Sequence, residues 1–276
     1  QEGNKPVSVR MVSFETHLPS KNRSFNVGVL YNQDQIYSSA FGVRFSRQNG
    51  ESDFTHQVTF GLSERGVGAM LDLHRDRYGI RLLSTFAPEQ AVVIPVYANG
   101  EYPLGYAKSV LERLGQYRTV GEEPGNTPAG KKFAAARQRG VPVRIGIGPD
   151  DEKNKTARIY LRTKEEPMSS FPVERLEEEM PRLLASVDSD IRSDAERYLS
   201  SKIAYTSNAG EIRDISLDGR IAGFAICESA PCMETIMEYK KGELLGTATA
   251  QERKGCVSCG REATNTGYFA KRSSSP

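Results

Sequence analysis

The chain has no tryptophan, only three histidines and four cysteines in 276 residues, and its apolar runs are short, with "AVVIPV" at 91–96 among the longest. Six apolar residues are far below the roughly 20 needed to cross a bilayer, so no transmembrane helix and no membrane partner are expected. The opening stretch "QEGNKPVSVR" has no apolar core of the kind a secretory leader requires, which points to a reducing, cytoplasmic setting. It begins on Gln rather than Met and is read as a fragment or a processed piece. Strong charge is missing too. The formal net charge is +2, too weak alone to argue for nucleic acid, so any RNA contact must come from local patches such as "GKKFAAARQRG". No internal repeat is found, and the length allows two domains with a small third.

All four cysteines lie in the last fifty positions. Four residues separate Cys227 from Cys232, two separate Cys256 from Cys259, and 23 separate the pairs. Each pair makes a short loop able to aim two thiolates at one point, and zinc takes four such ligands in a tetrahedron. Gly260, directly after Cys259, supplies the backbone freedom a knuckle turn requires. Four thiolates leave no open position, so the ion would be structural. The competing reading is four unrelated buried thiols; disulfides are disfavoured in a reducing compartment.

Alternation in "SVRMVSFETHL" and "HQVTFGL" predicts strands within 1–87, followed by a helix in "SERGVGAMLDLHRDRYG" ending near Gly79. After a break at Pro88, "AVVIPVY" is a buried strand and "GYAKSVLERLG" an amphipathic helix closed by Gly115. "YRTV" is a strand, "GEEPGNTPAG" a loop, and "KKFAAARQRG" a helix closed by Gly140, followed by the strands "VPVRIGI" and "TARIYLRT". Strands alternating with helices imply an α/β layer on a largely parallel sheet. A long helix follows in "PVERLEEEMPRLLASVDSDIRSDAERYLSSKI", with a kink or break at Pro181. The segment from about residue 203 holds the cysteines and a Ser-rich tail expected to fray.

Three motifs in this order carry a family resemblance. "HQVTFGLSERGVGAML" at 56–71 resembles the third signature motif of class II aminoacyl-tRNA synthetases in its prolyl form. "FAPEQAVVIPVY", "PAGKKF" and "RGVPVRIGIGP" resemble parts of an anticodon-binding domain, and "AICESAPC", "KGCVSCGREA" and "YFAK" a zinc-bearing C-terminal domain. The whole is similar to the C-terminal part of prolyl-tRNA synthetases of the archaeal and eukaryotic type. The resemblance implies a mixed α/β and α+β architecture: part of an antiparallel class II sheet at 1–87, an anticodon-binding α/β domain with a mixed or parallel sheet at 88–188, and a small α+β zinc domain at 189–276. It implies proline–tRNA ligation, with ATP and Mg, proline and a proline tRNA as partners and a possible homodimer. Arg65 matches the motif-three arginine that holds ATP by planar, forked contacts. His56 and Gly61 match positions lining the amino-acid and adenylate pocket, and Asn26 stands where the family places an ATP-contacting Gln. Lys131, Lys132, Arg137 and Arg162 are the candidate RNA-backbone contacts, each weighed against a solvated surface charge.

The departures have chemical content. Counting back from "AF" at 40–41, Val29 and Tyr31 occupy the family's Thr and His positions, and Val29 has no side-chain hydrogen-bonding group. Phe60 replaces a Trp, Gly146 and Asp150 replace an acid and a base, and "AKRSSSP" replaces an ending in tyrosine. Motifs one and two lie outside this chain, which alone is not a complete synthetase site. A catalytically degraded paralogue that binds tRNA or protein is the alternative reading, and a zinc-stabilised structural subunit a third.

Overall fold

A computed structural model describes residues 7–98, 100–227, 229–239 and 242–272, without the side chains of 169 and 251–253. The Ser-rich end, expected to fray, lies outside the described residues. In chain order the elements begin with β1 (Arg10–Leu18), β2 (Arg23–Asp34), α1 (Ile36–Phe41), β3 (Arg44–Ser46), β4 (Ser52–Phe54), β5 (Gln57–Leu62) and α2 (Arg65–His74). Next come β6 (Ala91–Pro95), α3 (Leu104–Arg113), β7 (Thr119–Gly121), α4 (Ala129–Gln138), β8 (Val143–Ile147), α5 (Pro149–Asn154), β9 (Thr156–Leu161), β10 (Met168–Pro172) and α6 (Leu176–Lys202). The last are β11 (Ile203–Tyr205), α7 (Ala209–Leu217), β12 (Ile221–Ile226), α8 (Ala230–Met237), β13 (Glu243–Gly255) and β14 (Glu262–Ala270). They gather into two compact units: residues 74–198, and the two chain ends, 1–73 with 199–276.

In the 74–198 unit the sheet order is β10-β9-β8-β6-β7. β6 pairs parallel with β7 and β8, while β8–β9 and β9–β10 are antiparallel, so the sheet is mixed rather than largely parallel. The correction has a simple cause: only six-residue α5 links β8 to β9, too short for a parallel crossover. Period-two alternation divides the core. Ala91, Val93, Val143, Ile145 and Ile147 face α3 and α6, while Val92 and Ile94 face Phe133 and Ala136 of α4. Both faces are covered, which is why β6 reads as a continuous apolar run and why even the one charged residue of β8, Arg144, is buried. α6 is one helix through Pro181, so of the kink or break expected there the break does not occur. Its stripe of Leu176, Met180, Leu183, Leu184, Val187 and Ile191 is buried, and that burial offsets the hydrogen bond and steric fit a helix proline costs.

The other unit holds two main sheets. β1-β2-β5 is antiparallel throughout, with α2 packed on it through Ala69 against Leu18 and Phe25. The second sheet has the order β11-β12-β14-β13, with the β11–β12 pair parallel and the rest antiparallel. Helices α7 and α8 place Ile212 and Ile236 against Ala222, Phe224, Ile226 and Phe269 of this sheet. The sheets and helices are those expected of the fold class.

Candidate functional site

Three groups of residues on this scaffold have chemistry to offer. The first lies on β1-β2-β5. Gly61 pairs with Val29 and Gly28 with Leu62, which sets the end of β5 beside the middle of β2. Arg65 opens α2 just beyond that end, exposed, with its guanidinium carbon 5.8 Å from the centre of the Phe25 ring. Asn26, next to Phe25, is already engaged: its amide nitrogen donates to Ser13 Oγ, to Glu15 Oε1 at 3.0 Å and to the Gly28 carbonyl at 3.4 Å. Glu15 Oε1 also accepts from Arg272 at 2.8 Å.

His56 stands at the opposite end of β5, about 3.4 Å of rise per residue away from Gly61. Its Nδ1 meets Asp34, and its Nε2 lies 3.2 Å from the Gln35 amide nitrogen. The structure thus brings Asn26, Gly61 and Arg65 to one end of the sheet and leaves His56 at the other. On β2, Val29 lies opposite Gly61 at the first of these ends, and Tyr31, opposite Thr59, lies between the two.

The second group is in the 74–198 unit. Parallel strands offer ligands a crevice beyond their carboxyl ends, and at that end of β6 there is a cavity of about 360 Å³. Pro95, Tyr97, Tyr102, Asn126, Pro128 and Lys132 are among its lining residues. The Tyr97 and Tyr102 rings lie 5.1 Å apart, centre to centre, at 50°. A bridge between Ala98 and Glu101, with Gly100 at φ +88°, folds that loop back on itself. Lys132 is buried, and its Nζ donates to the Glu123 carbonyl, closing the 122–130 loop over the crevice. Residue-by-residue reading missed the tyrosines; their signal was "VYANGEY", aromatics straddling a turn directly after a buried strand.

The remaining cationic candidates are less available. Lys131 is exposed. Arg137 lies 3.4 Å above the centre of the Tyr78 ring and 3.6 Å from Glu165. Arg162 is a correction: it is 0% exposed and binds both carboxylate oxygens of Asp76 at 2.7 Å, with further bonds to the Ile80 and Gly79 carbonyls. A guanidinium so enclosed holds the unit together and cannot face an RNA backbone. Its neighbour Arg144 is also buried but donates only to the carbonyls of Phe133 and Leu161, and burial lowers its pKa to about 10. Gly146 has a physical reason: a Cβ there would lie 3.0 Å from Phe133 Cζ, so an acidic side chain would displace that ring. Asp150 is in the first turn of α5, where a negative charge suits the helix dipole.

The third group is the cysteines. Cys227 follows β12, Cys232 is on α8, and Cys256 and Cys259 flank the turn between β13 and β14. All four are free thiols whose sulfurs lie within 4.8 Å of one another. Gly260, at φ +75°, donates its N–H to the Cys256 carbonyl at 2.8 Å and closes the knuckle. The Cys227–Cys259 sulfur separation is 3.8 Å. Zinc–sulfur bonds of about 2.3 Å require a tetrahedral edge of about 3.8 Å, so the residues fit a metal held by four thiolates. Arg261 Nε donates to Cys259 Sγ at 3.4 Å and lowers that thiol to about 6. A backbone hydrogen bond from Ser229 lowers Cys227, while burial raises Cys256.

Comparison with known proteins joins these groups. Residues 90–183 match the model of an anticodon binding domain. A proline–tRNA ligase of Pyrococcus horikoshii is 30% identical over 260 residues, covering 90% of this chain and 54% of that protein. The Thermococcus kodakarensis ligase is 29% identical over 265 residues, with 90% and 54% covered. The chain is related to the C-terminal part of prolyl-tRNA synthetases. It spans about half the length of the curated relatives it matches. The fold of a prolyl-tRNA synthetase from Cryptosporidium parvum, solved with L-proline and AMP, superposes with a TM-score of 0.84 at 23% identity, over 98% of this chain and 60% of that one. That likeness shows a shared fold over both units, the cysteine-bearing sheet included.

Proposed function

We propose that the chain is the motif-three, anticodon-reading and zinc-bearing part of a proline–tRNA ligase, acting with proline, ATP and Mg, and a proline tRNA. The observation that carries the reading is the aromatic crevice at the carboxyl end of β6, inside the segment that matches an anticodon binding domain. Unpaired bases are recognised by stacking on aromatic rings and by hydrogen bonds to their edges, and Tyr97, Tyr102 and Asn126 offer both. Arg65 is the candidate for gripping ATP, at the N-terminus of α2 where a phosphate also meets backbone N–H groups. Gly61, with no side chain, leaves the sheet open beside it, and His56 lines the far end of the same strand. Residues 1–87 are assigned to the synthetase domain, 88–188 to anticodon binding and 189–276 to the zinc domain. Zinc on Cys227, Cys232, Cys256 and Cys259 is structural, since all four positions are filled by protein. The setting is cytoplasmic and the assembly a homodimer, as expected for this class.

A second reading rests on the Asn26 site. Asn26 is tied to Ser13 and Glu15, and Val29 offers no polar group, so two positions that would contact substrate are spent or silent. That favours a paralogue that keeps tRNA binding and has lost adenylation. Proline-dependent ATP–pyrophosphate exchange by the full gene product decides between the readings. Exchange that is lost in Arg65→Ala supports the ligase. Absence of exchange, with binding to a proline anticodon stem-loop that Tyr102→Ala weakens, supports the paralogue. Failure of both overturns the tRNA reading altogether.

A further inference from the structure

A cavity of about 1030 Å³ lies on the cysteine-bearing sheet and is lined by residues of β11–β14 and the segment after β11. Alternation explains its position. Ala222, Phe224 and Ile226 of β12 face α7 and α8, so Gly223 and Ala225 face the other way. Register carries that face across the neighbouring strands: Gly223 pairs with Tyr205 and Tyr268, Ala225 with Thr266, and Thr266 with Ala248.

The result is an aromatic wall beside a floor of small residues. Tyr205 is 69% exposed, yet its ring is held against Gly223, where a Cβ would stand 2.7 Å from ring carbons Cδ1 and Cε1. Tyr268 stands beside it on the same face, its pKa raised first by burial and then by the neighbouring Tyr205. One side of a fixed ring is thus seated on the sheet and the other is open. The floor is Ala225, Ala248 and Thr266, and hydroxyls of Thr206, Ser207 and Thr249 with the Lys254 side chain rim it.

We propose that this face is a second RNA contact, a platform on which Tyr205 stacks an unpaired base over the Ala225–Thr266–Ala248 floor. The shape decides against other polymers. A peptide that adds to a sheet pairs in the plane of a strand edge, whereas the centre of this face, Gly223, Ala225, Thr266 and Tyr268, lies on β12 and β14, interior strands already paired on both sides; Tyr205 and Ala248 flank it from the edge strands β11 and β13. An amphipathic helix needs deep apolar sockets, and alanine, glycine and threonine provide a nearly flat surface. A flat floor, a ring seated on it and hydroxyls for base edges match the way open four-stranded sheets hold single-stranded RNA. The inference rests on the proposed function only in taking RNA as the polymer; its residues are separate from the Tyr97–Tyr102 crevice.

The test is fluorine NMR of the full chain carrying 3-fluorotyrosine, with Tyr205 and Tyr268 assigned through single Phe variants. It is titrated with an adenine RNA hexamer, an abasic hexamer of equal charge, and an extended peptide. The Tyr205 signal is expected to move with the adenine hexamer and not with the other two. Tyr205→Ala is expected to weaken hexamer binding about fivefold to a hundredfold, the usual worth of one stacked base, and Tyr205→Phe to keep it within about twofold. Tyr102→Ala should leave the Tyr205 shift unchanged while weakening the anticodon stem-loop, which separates failure of this site from failure of the anticodon reading. Equal shifts with the abasic hexamer, movement with the peptide alone, or wild-type hexamer affinity in Tyr205→Ala would each overturn the platform.

Discussion

Every residue of β6 and β8 is buried, whereas β5 leaves Val58, Phe60 and Leu62 at 65%, 53% and 69% exposure. The first sheet has helices on both faces. In the second, register places Val12, Phe14, Leu30, Val58, Phe60 and Leu62 on one common face, with Phe14 edge-on to Phe60 at 5.7 Å. The two sheets therefore hold in different ways. The 74–198 unit rests on its own enclosed core, where each fully buried Ile or Val contributes about 1.5–3 kcal/mol. The other unit combines strand pairing, a small cluster around Phe25, and the core and thiol cluster of its second sheet.

Metal removal should expose that difference most strongly. Structural zinc supplies about 10–16 kcal/mol of apparent binding energy in small zinc peptides, and binding energy there is folding energy. Chelation is expected to raise amide exchange through β12, β13 and β14 by orders of magnitude while β6 and β8 stay protected. Elemental analysis near one zinc per chain should accompany it. Unchanged exchange in a metal-free preparation would show that the thiols are merely neighbours in an apolar core.

The next test attacks the self-sufficient unit from inside. Asp76→Ala leaves the Arg162 guanidinium enclosed without its carboxylate, a change that costs about 3–5 kcal/mol in comparable buried pairs. Urea unfolding followed by exchange in β6 and β8 should show that loss, and no change in β12–β14. A loss below about 1 kcal/mol would mean that the Ile80 and Gly79 carbonyls alone satisfy the arginine.

That pair also marks where sequence reading stops. β6 was legible as an unbroken apolar run, β8 as the strand in "VPVRIGI", α3 and α4 from their apolar spacing and the Gly115 and Gly140 that follow, and the cysteine cluster from its two short spacings. Arg162 was not legible: at the end of a strand it reads as a surface charge, and its partner is 86 positions away. At Pro181 local preference predicts a kink or a break, and the buried stripe that outweighs the break becomes visible only once the helix lies on a sheet. The Tyr97–Tyr102 crevice needed a tight turn to bring two rings together, a geometry that composition does not announce.

A smaller effect comes from pH. His17 and His74 are both held below the ordinary histidine value, in each case chiefly by burial. A lowered folded-state pKa means the native state prefers the neutral ring. The stability this gives is complete above about pH 6.5 and is lost as pH falls through the lower folded value, with a slope bounded by about 1.4 kcal/mol per pH unit for each group. His17 Nε2 is 2.7 Å from the Gly219 carbonyl, which accepts from the neutral ring's N–H. His17→Gln keeps a donor and removes the titration. It should flatten the pH dependence of exchange in β1 and β2 between pH 6.5 and 5; an unchanged profile would assign that dependence to other groups.

The smallest effect is the most direct probe of the open sheet. Val58→Thr exchanges a methyl for a hydroxyl of nearly the same size on a strand that threonine suits. Inside β6 such a change would bury an unpaired hydroxyl at a cost of about 1–3 kcal/mol. At 65% exposure the hydroxyl finds water, so stability should move by less than about 0.5 kcal/mol. Self-association should fall, because the substitution makes a contiguous apolar face less so. Sedimentation beside thermal unfolding reads both. A loss comparable to that of a core substitution would show that this face is packed in solution, and the contrast between the two sheets would then be one of partners rather than of design.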